Sequence, residues 1–123
     1  MASIQRIGFT RDQNDLSKIF KALAHPARIA IIDLLLETNR INCKQLASEI
    51  GYGSPTVTHH LKILMESGLI GYEKIANLSF YAVNPILIDK AQNALKVVSN
   101  KADDQQTDFR NIIFCQQPLP DSF

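Results

Sequence analysis

The chain has 123 residues, enough for one domain of ordinary size and too few for two. Hydrophobic residues make up 46% and charged residues 20%, a balance that argues against a globally disordered chain. Lys and Arg number 13 against 12 Asp and Glu, a formal net charge of +1, so the whole-chain sum does not suggest a strongly basic nucleic-acid binder.

A polar lead of about a dozen residues precedes Leu16, Ile19, Phe20 and Leu23, whose i, i+3, i+4, i+7 spacing predicts one face of a helix. That helix should stop near Ala24–His25, because Pro26 disfavours helical geometry in the residue before it. Pro26 suits the first turn of a second helix running to about Glu37. The second helix, PARIAIIDLLLE, is apolar on most sides and is expected at the buried centre of the domain. Asn42 and Gln45 form a capping pair for a third helix, with Cys43, Leu46, Ala47 and Ile50 on its apolar face. Gly51 and Gly53 break the chain. Ser54 then offers a hydroxyl cap and Pro55 a first turn for a fourth helix that ends at Gly68. Two short helices joined by a tight glycine-containing turn are a helix-turn-helix arrangement.

Beyond Gly68, Leu69–Ile75 and Leu78–Val83 are rich in Ile, Tyr, Phe and Val, and Ala76–Asn77 between them suits a hairpin turn. Asn84 and Pro85 open a last helix with a stripe of Leu87, Ala91, Ala94, Leu95 and Val98. The expected fold is mainly α with a small antiparallel β-hairpin wing: a winged helix-turn-helix ordered as four helices, two strands and a fifth helix. Residues 1–101 would form this domain. Residues 102–123 would be an acidic and mostly disordered tail, with NIIFC as a candidate docking segment.

Within the fourth helix, at about 100° per residue, Val57, Leu61 and Leu64 cluster toward the core. His59, Lys62 and Glu66 point the other way, flanked by Thr56 and Thr58. A helix offered to the major groove reads base edges with side chains near its N-terminus. Thr56, Thr58 and His59 are therefore the candidates for base contact; Ser54, Lys62 and Lys44 suit phosphates, and Lys74 and Asn77 at the hairpin tip can reach a phosphate or the minor groove. Tyr72, Phe80 and Tyr81 are assigned to packing, because duplex bases offer no free faces for stacking. Adjacent His59 and His60 diverge on a helix and do not converge on one ion; His60 is expected to pack with its polar end hydrogen-bonded, and His25 to serve at a helix start.

The stretches FKALAHPARIAIIDLL, CKQLASEIGYGSPTVTHHLKILMESGLI and YEKIANLSFYAVNP resemble the ArsR/SmtB-type bacterial repressors over roughly residues 16–100. The resemblance implies a homodimeric, double-stranded-DNA-binding transcriptional regulator, a repressor on a palindromic operator. It also implies that the first and last helices pair across a two-fold axis, which places Leu16, Ile19, Phe20, Leu23, Leu87, Ala91, Leu95 and Val98 at the dimer interface. Many members of the family sense metals. Aligned through Leu46, the Cys-x-Cys positions of the arsenic-type site are Asn42 and Lys44, with Cys43 between them on the apolar stripe. The last helix has Asp89 but no His, so neither common metal site is expected, and no cofactor. The effector is left unassigned.

No apolar run approaches the roughly 18–20 residues of a membrane span. The opening MASIQRIGFTRDQND lacks a secretory apolar segment. Cys43 and Cys115, the only cysteines, form no CxxC or Cys/His cluster, so a reducing cytoplasm is the expected compartment; a redox pairing of the two thiols is the alternative role for them. No nucleophile–base set, phosphate loop or paired-carboxylate motif suggests an enzyme. The rival reading is a winged-helix protein-interaction module without DNA affinity. Charge separates along the chain: residues 102–123 hold Arg110 against Asp103, Asp104, Asp108 and Asp121, a net −3, which leaves 12 basic and 8 acidic residues in 1–101. Near-neutrality thus belongs to the whole chain and not to its first 101 residues.

Overall fold

A computed structural model describes residues 8–38 and 40–105. The first helix, α1 (Arg11–Leu23), begins earlier than its apolar stripe suggests. Thr10 accepts from the Gln13 backbone N–H at 3.1 Å while Gln13 Oε1 accepts from the Thr10 N–H at 3.0 Å, a reciprocal box that starts the helix inside the polar lead. Helix α2 (Pro26–Glu37) is capped by His25, whose Nδ1 accepts from the Ala27 N–H at 3.0 Å. Ala27, Ile31, Ile32 and Leu35 of α2 are buried, but Ile29 and Leu36 are exposed, so the central helix keeps one open side.

A short strand that the hydrophobic pattern does not announce, β1 (Ile41–Asn42), leads into α3 (Cys43–Ile50). Gly51 takes the left-handed conformation at φ +82° to end α3, a position where a Cβ would be strained. Helix α4 (Ser54–Glu66) follows. Its N-cap is Gly53, and Ser54 is the first helical residue with no capping hydrogen bond, one position away from the expected cap. Strands β2 (Ile70–Ile75) and β3 (Leu78–Val83) form an antiparallel hairpin in the register Ile70 to Val83 through Ile75 to Leu78. On the other side of β3, Ile41 pairs with Tyr81 and Asn42 with Phe80, so the wing is a three-stranded sheet ordered β1-β3-β2. Helix α5 (Pro85–Asp104) is capped by Asn84 and runs through Ala102–Asp104, into the segment expected to be tail. NIIFC and Cys115 lie outside the described residues.

The core is built from every helix: Ile19 and Ala22 of α1, Ile31, Ile32 and Leu35 of α2, Leu46 and Ala47 of α3, and Val57, Leu61 and Leu64 of α4. Ile41, Leu69 and Ile70 seal it on the sheet side and Ala91 of α5 at the far end. Truncating a fully buried leucine such as Leu46 or Leu64 in such a core costs about 2–5 kcal/mol. Helix α4, the sheet and the terminal helices are thereby fixed to one another by shared apolar contacts.

Candidate nucleic-acid interface

The geometry of α4 follows from which of its residues the core takes. Val57, His60, Leu61 and Leu64 are buried, which turns Ser54, Thr56, Thr58, His59 and Lys62 outward; all five are exposed. Lys44 is exposed in the first turn of α3, whose start is set by the Asn42–Gln45 box with both hydrogen bonds at 2.9 Å. The two helices touch where the thiol of Cys43 lies 3.4 Å from the Thr58 hydroxyl. This contact brings the start of α3 against the outward side of α4. It also leaves Cys43 only half-buried, where the apolar stripe suggests a buried structural thiol. Nothing in the spacing of Cys43 and Thr58 announces their contact, which depends on how α3 and α4 cross.

Lys74 and Asn77 stand apart on the wing. Lys74 pairs with Ser79 at the end of the hairpin, and Asn77 shares the turn with Ala76, both at positive φ; both candidate side chains are exposed. The aromatic residues divide. Tyr81 packs against the core, where burial pushes its phenol above the ordinary value, and Phe80 is half-buried. Tyr72 is 61% exposed and leans on Tyr81 at 6.3 Å between ring centres, so packing accounts for only part of its surface.

His60 departs from expectation. It is buried to 7% exposure, but its Nδ1 has no hydrogen-bond partner. Its ring stacks obliquely on His25 at 4.5 Å and lies 5.7 Å from that of His59. Burial foremost, and then the nearby charges of His25, Arg28 and His59, hold its pKa below the ordinary histidine value. Among the described residues no three His, Cys, Asp or Glu side chains are grouped to hold a metal ion, and no helix is long and apolar enough to cross a membrane.

The terminal helices are joined by Lys90 of α5, whose ammonium lies 3.3 Å from Asp15 and 3.4 Å from Asp12 of α1. The hydrogen bond to Asp15 leads the effects that raise its pKa. Of the eight residues expected at a dimer interface, Ile19 and Ala91 belong to the protomer's own core, and Ile19 is only 2% exposed. Their place on the apolar stripes reflects packing within one chain. Leu16, Leu23 and Leu87 are half-buried, whereas Phe20, Leu95 and Val98 are exposed, the last two at 59% and 64%.

Residues 25–72, from the α2 cap to the middle of β2, match the family model for bacterial regulatory proteins of the arsR family. The chain is 31% identical over 90 residues to the HTH-type transcriptional regulator Rv0081 of Mycobacterium tuberculosis, an alignment that covers 72% of this chain and 79% of that one. With the arsenical resistance operon repressor of Staphylococcus xylosus it shares 31% identity over 85 residues, covering 69% and 81%. The chain belongs to the ArsR family of bacterial transcriptional regulators. The ArsR-family fold extends to solved structures. The crystal structure of Rv0081 superimposes with a TM-score of 0.54 at 30% identity, covering 74% of this chain and 92% of the other. A homodimeric winged helix-turn-helix DNA-binding domain from Mycobacterium bovis shares the fold with a TM-score of 0.58 at 20% identity, over 83% of this chain and 97% of that one.

Proposed function

We propose that the chain is a sequence-specific repressor that binds double-stranded DNA as a homodimer. The observation that carries this reading is the division of α4: its apolar side is consumed by the core, and Ser54, Thr56, Thr58, His59 and Lys62 are left exposed. Hydroxyls and an imidazole near the helix N-terminus suit base edges. Lys62, Ser54 and Lys44 suit phosphates, and Lys74 and Asn77 on the wing would follow the backbone or the adjacent minor groove. Between Thr38 and Asn84 the basic residues Arg40, Lys44, Lys62 and Lys74 face Glu49, Glu66 and Glu73, so sequence-independent attraction is modest and groove contacts supply discrimination.

The dimer would form through Phe20, Leu95 and Val98, apolar side chains that remain open on α1 and α5. Half-buried Leu16, Leu23 and Leu87 would lie at its margin. A two-fold axis there supports a palindromic operator read in successive major grooves, as does the homodimeric assembly of the related M. bovis domain. Bound across a promoter, such a dimer excludes polymerase. The name of the S. xylosus relative supports repression over activation. Cytoplasmic residence follows from this role.

Selection of duplexes from a random pool tests the proposal. The expected result is an enriched palindrome whose affinity falls steeply with salt, because phosphate contacts release counterions. Absence of duplex binding at low salt across the whole pool would overturn it and leave the winged-helix interaction module as the reading.

A further inference from the structure

The effector of this regulator is open, and the structure offers a place for one. At the C-terminal end of α4, an open cavity of about 360 Å³ is bounded by Lys18 and Lys21 of α1, Arg28 of α2, and Glu66 and Ser67. Its apolar lining is Ala22 and Ile63. Lys18 and Lys21 are spaced i, i+3 on one helix face, a like-charge arrangement that is unfavourable without a counter-charge. Ion pairs among the described residues involve only Lys90, so Lys18, Lys21 and Arg28 have no carboxylate within 4.0 Å. Arg28 also carries a buried Nε with no hydrogen-bond partner. The end of α4 contributes roughly half a negative charge by its dipole. Set against the three cations, Glu66 and the helix end together still leave a surplus of about one and a half positive charges.

We infer that this cavity binds a small organic oxyanion, a carboxylate or phosphate ester of about ten non-hydrogen atoms. The volume is at the lower end of the range for small-molecule pockets, roughly 300–1,000 Å³. Two lysines and a guanidinium are the donors such a group needs, and Ala22 and Ile63 offer a short apolar floor. The site lies ten residues along α4 from Thr56, about 15 Å at 1.5 Å per residue, so a ligand there does not compete directly for bases. It instead seats negative charge beside Glu66 while drawing in the cations of α1 and α2. This shifts the end of α4 against its supports and weakens operator binding, a coupling that rests on the proposed function.

The test is an NMR titration of the full-length chain with succinate, phenyl phosphate and inorganic phosphate, without DNA. The expected result is saturable movement of amides at 18–22 and 63–67 for at least one organic probe, with affinity at least about tenfold weaker in a K18Q/K21Q double variant of unchanged circular dichroism. If no probe saturates by about 10 mM, or the double variant binds like wild type, the site does not exist. Inorganic phosphate binding as tightly as the organic probes would overturn the organic assignment. The same double variant is carried into duplex binding. An unchanged salt slope supports an effector site, whereas a slope shallower by about two makes both lysines phosphate contacts and overturns it. A chain that binds no duplex at all refutes the proposed function while the titration still decides the site.

Discussion

Packed against His25 with Nδ1 unpaired, the His60 ring takes a proton less readily than a free imidazole, because of its burial first and then the charge of nearby Arg28. Its pKa in the folded chain lies below the ordinary value of 6.5, so the unfolded chain takes up the proton more readily. Stability from this residue is complete above about 6.5 and falls as the pH drops through that value toward the lower folded pKa. The urea midpoint should therefore decrease between about pH 7.5 and pH 5.5, and His60→Gln should flatten the decrease. An equally steep fall in that variant would assign it to other groups. The outward residues of α4 separate by a different measurement. His59→Ala should relax preference at one operator position by about 1–3 kcal/mol, whereas Lys62→Ala should weaken all duplexes alike and reduce the salt slope by about one. Specific and random duplexes measured side by side distinguish the two, and intact affinity in both variants would mean that a different face reads the DNA.

The long elements were legible because their burial repeats. Three- and four-residue spacing marks α1, α3 and α5, the Asn42–Gln45 box marks a helix start, and Ala76–Asn77 marks the hairpin. Thr10 and Gln13 carry the same spacing as Asn42 and Gln45, but they lie in a polar stretch where no apolar period draws attention to them. Strand β1 is two residues long, too short for alternation to show, and exists only because β3 offers an open edge. The contacts of Cys43 with Thr58 and of His25 with His60 join different helices, and no local pattern encodes a crossing. At the wing tip, Ala76 and Asn77 have φ of 50° and 69°, the geometry of a tight hairpin turn that favours Asn and Gly. Ala76 bears a Cβ penalty of about 1 kcal/mol there. Ala76→Asn should raise stability by about 0.5–1 kcal/mol in urea unfolding, and a loss of stability would mean that the neighbouring chain, not the turn, dictates the conformation.

At the scale of the molecule, sequence periodicity cannot tell a stripe that faces the chain's own core from one that faces a second copy. Ile19 and Ala91 turned inward, while Phe20, Leu95 and Val98 stayed open. A Leu95→Glu/Val98→Glu variant should keep its helical signal, because both side chains are exposed in the protomer, but sediment as a monomer and lose operator affinity by at least about tenfold. Sedimentation as a dimer would place the interface elsewhere. The bridge from Lys90 to Asp12 and Asp15 bears on how this architecture is reached during synthesis. Its partners are separated by up to 78 positions, and as an exposed ion pair it adds little to equilibrium stability. On the ribosome, however, α1 is made first and must wait, with its carboxylates unmatched, until α5 has emerged. Helices α2 to α4 and the hairpin can begin to associate earlier through nearer contacts. Any surface that α1 and α5 form together would then be the last part of the molecule completed by a nascent chain, after α4 is already in place.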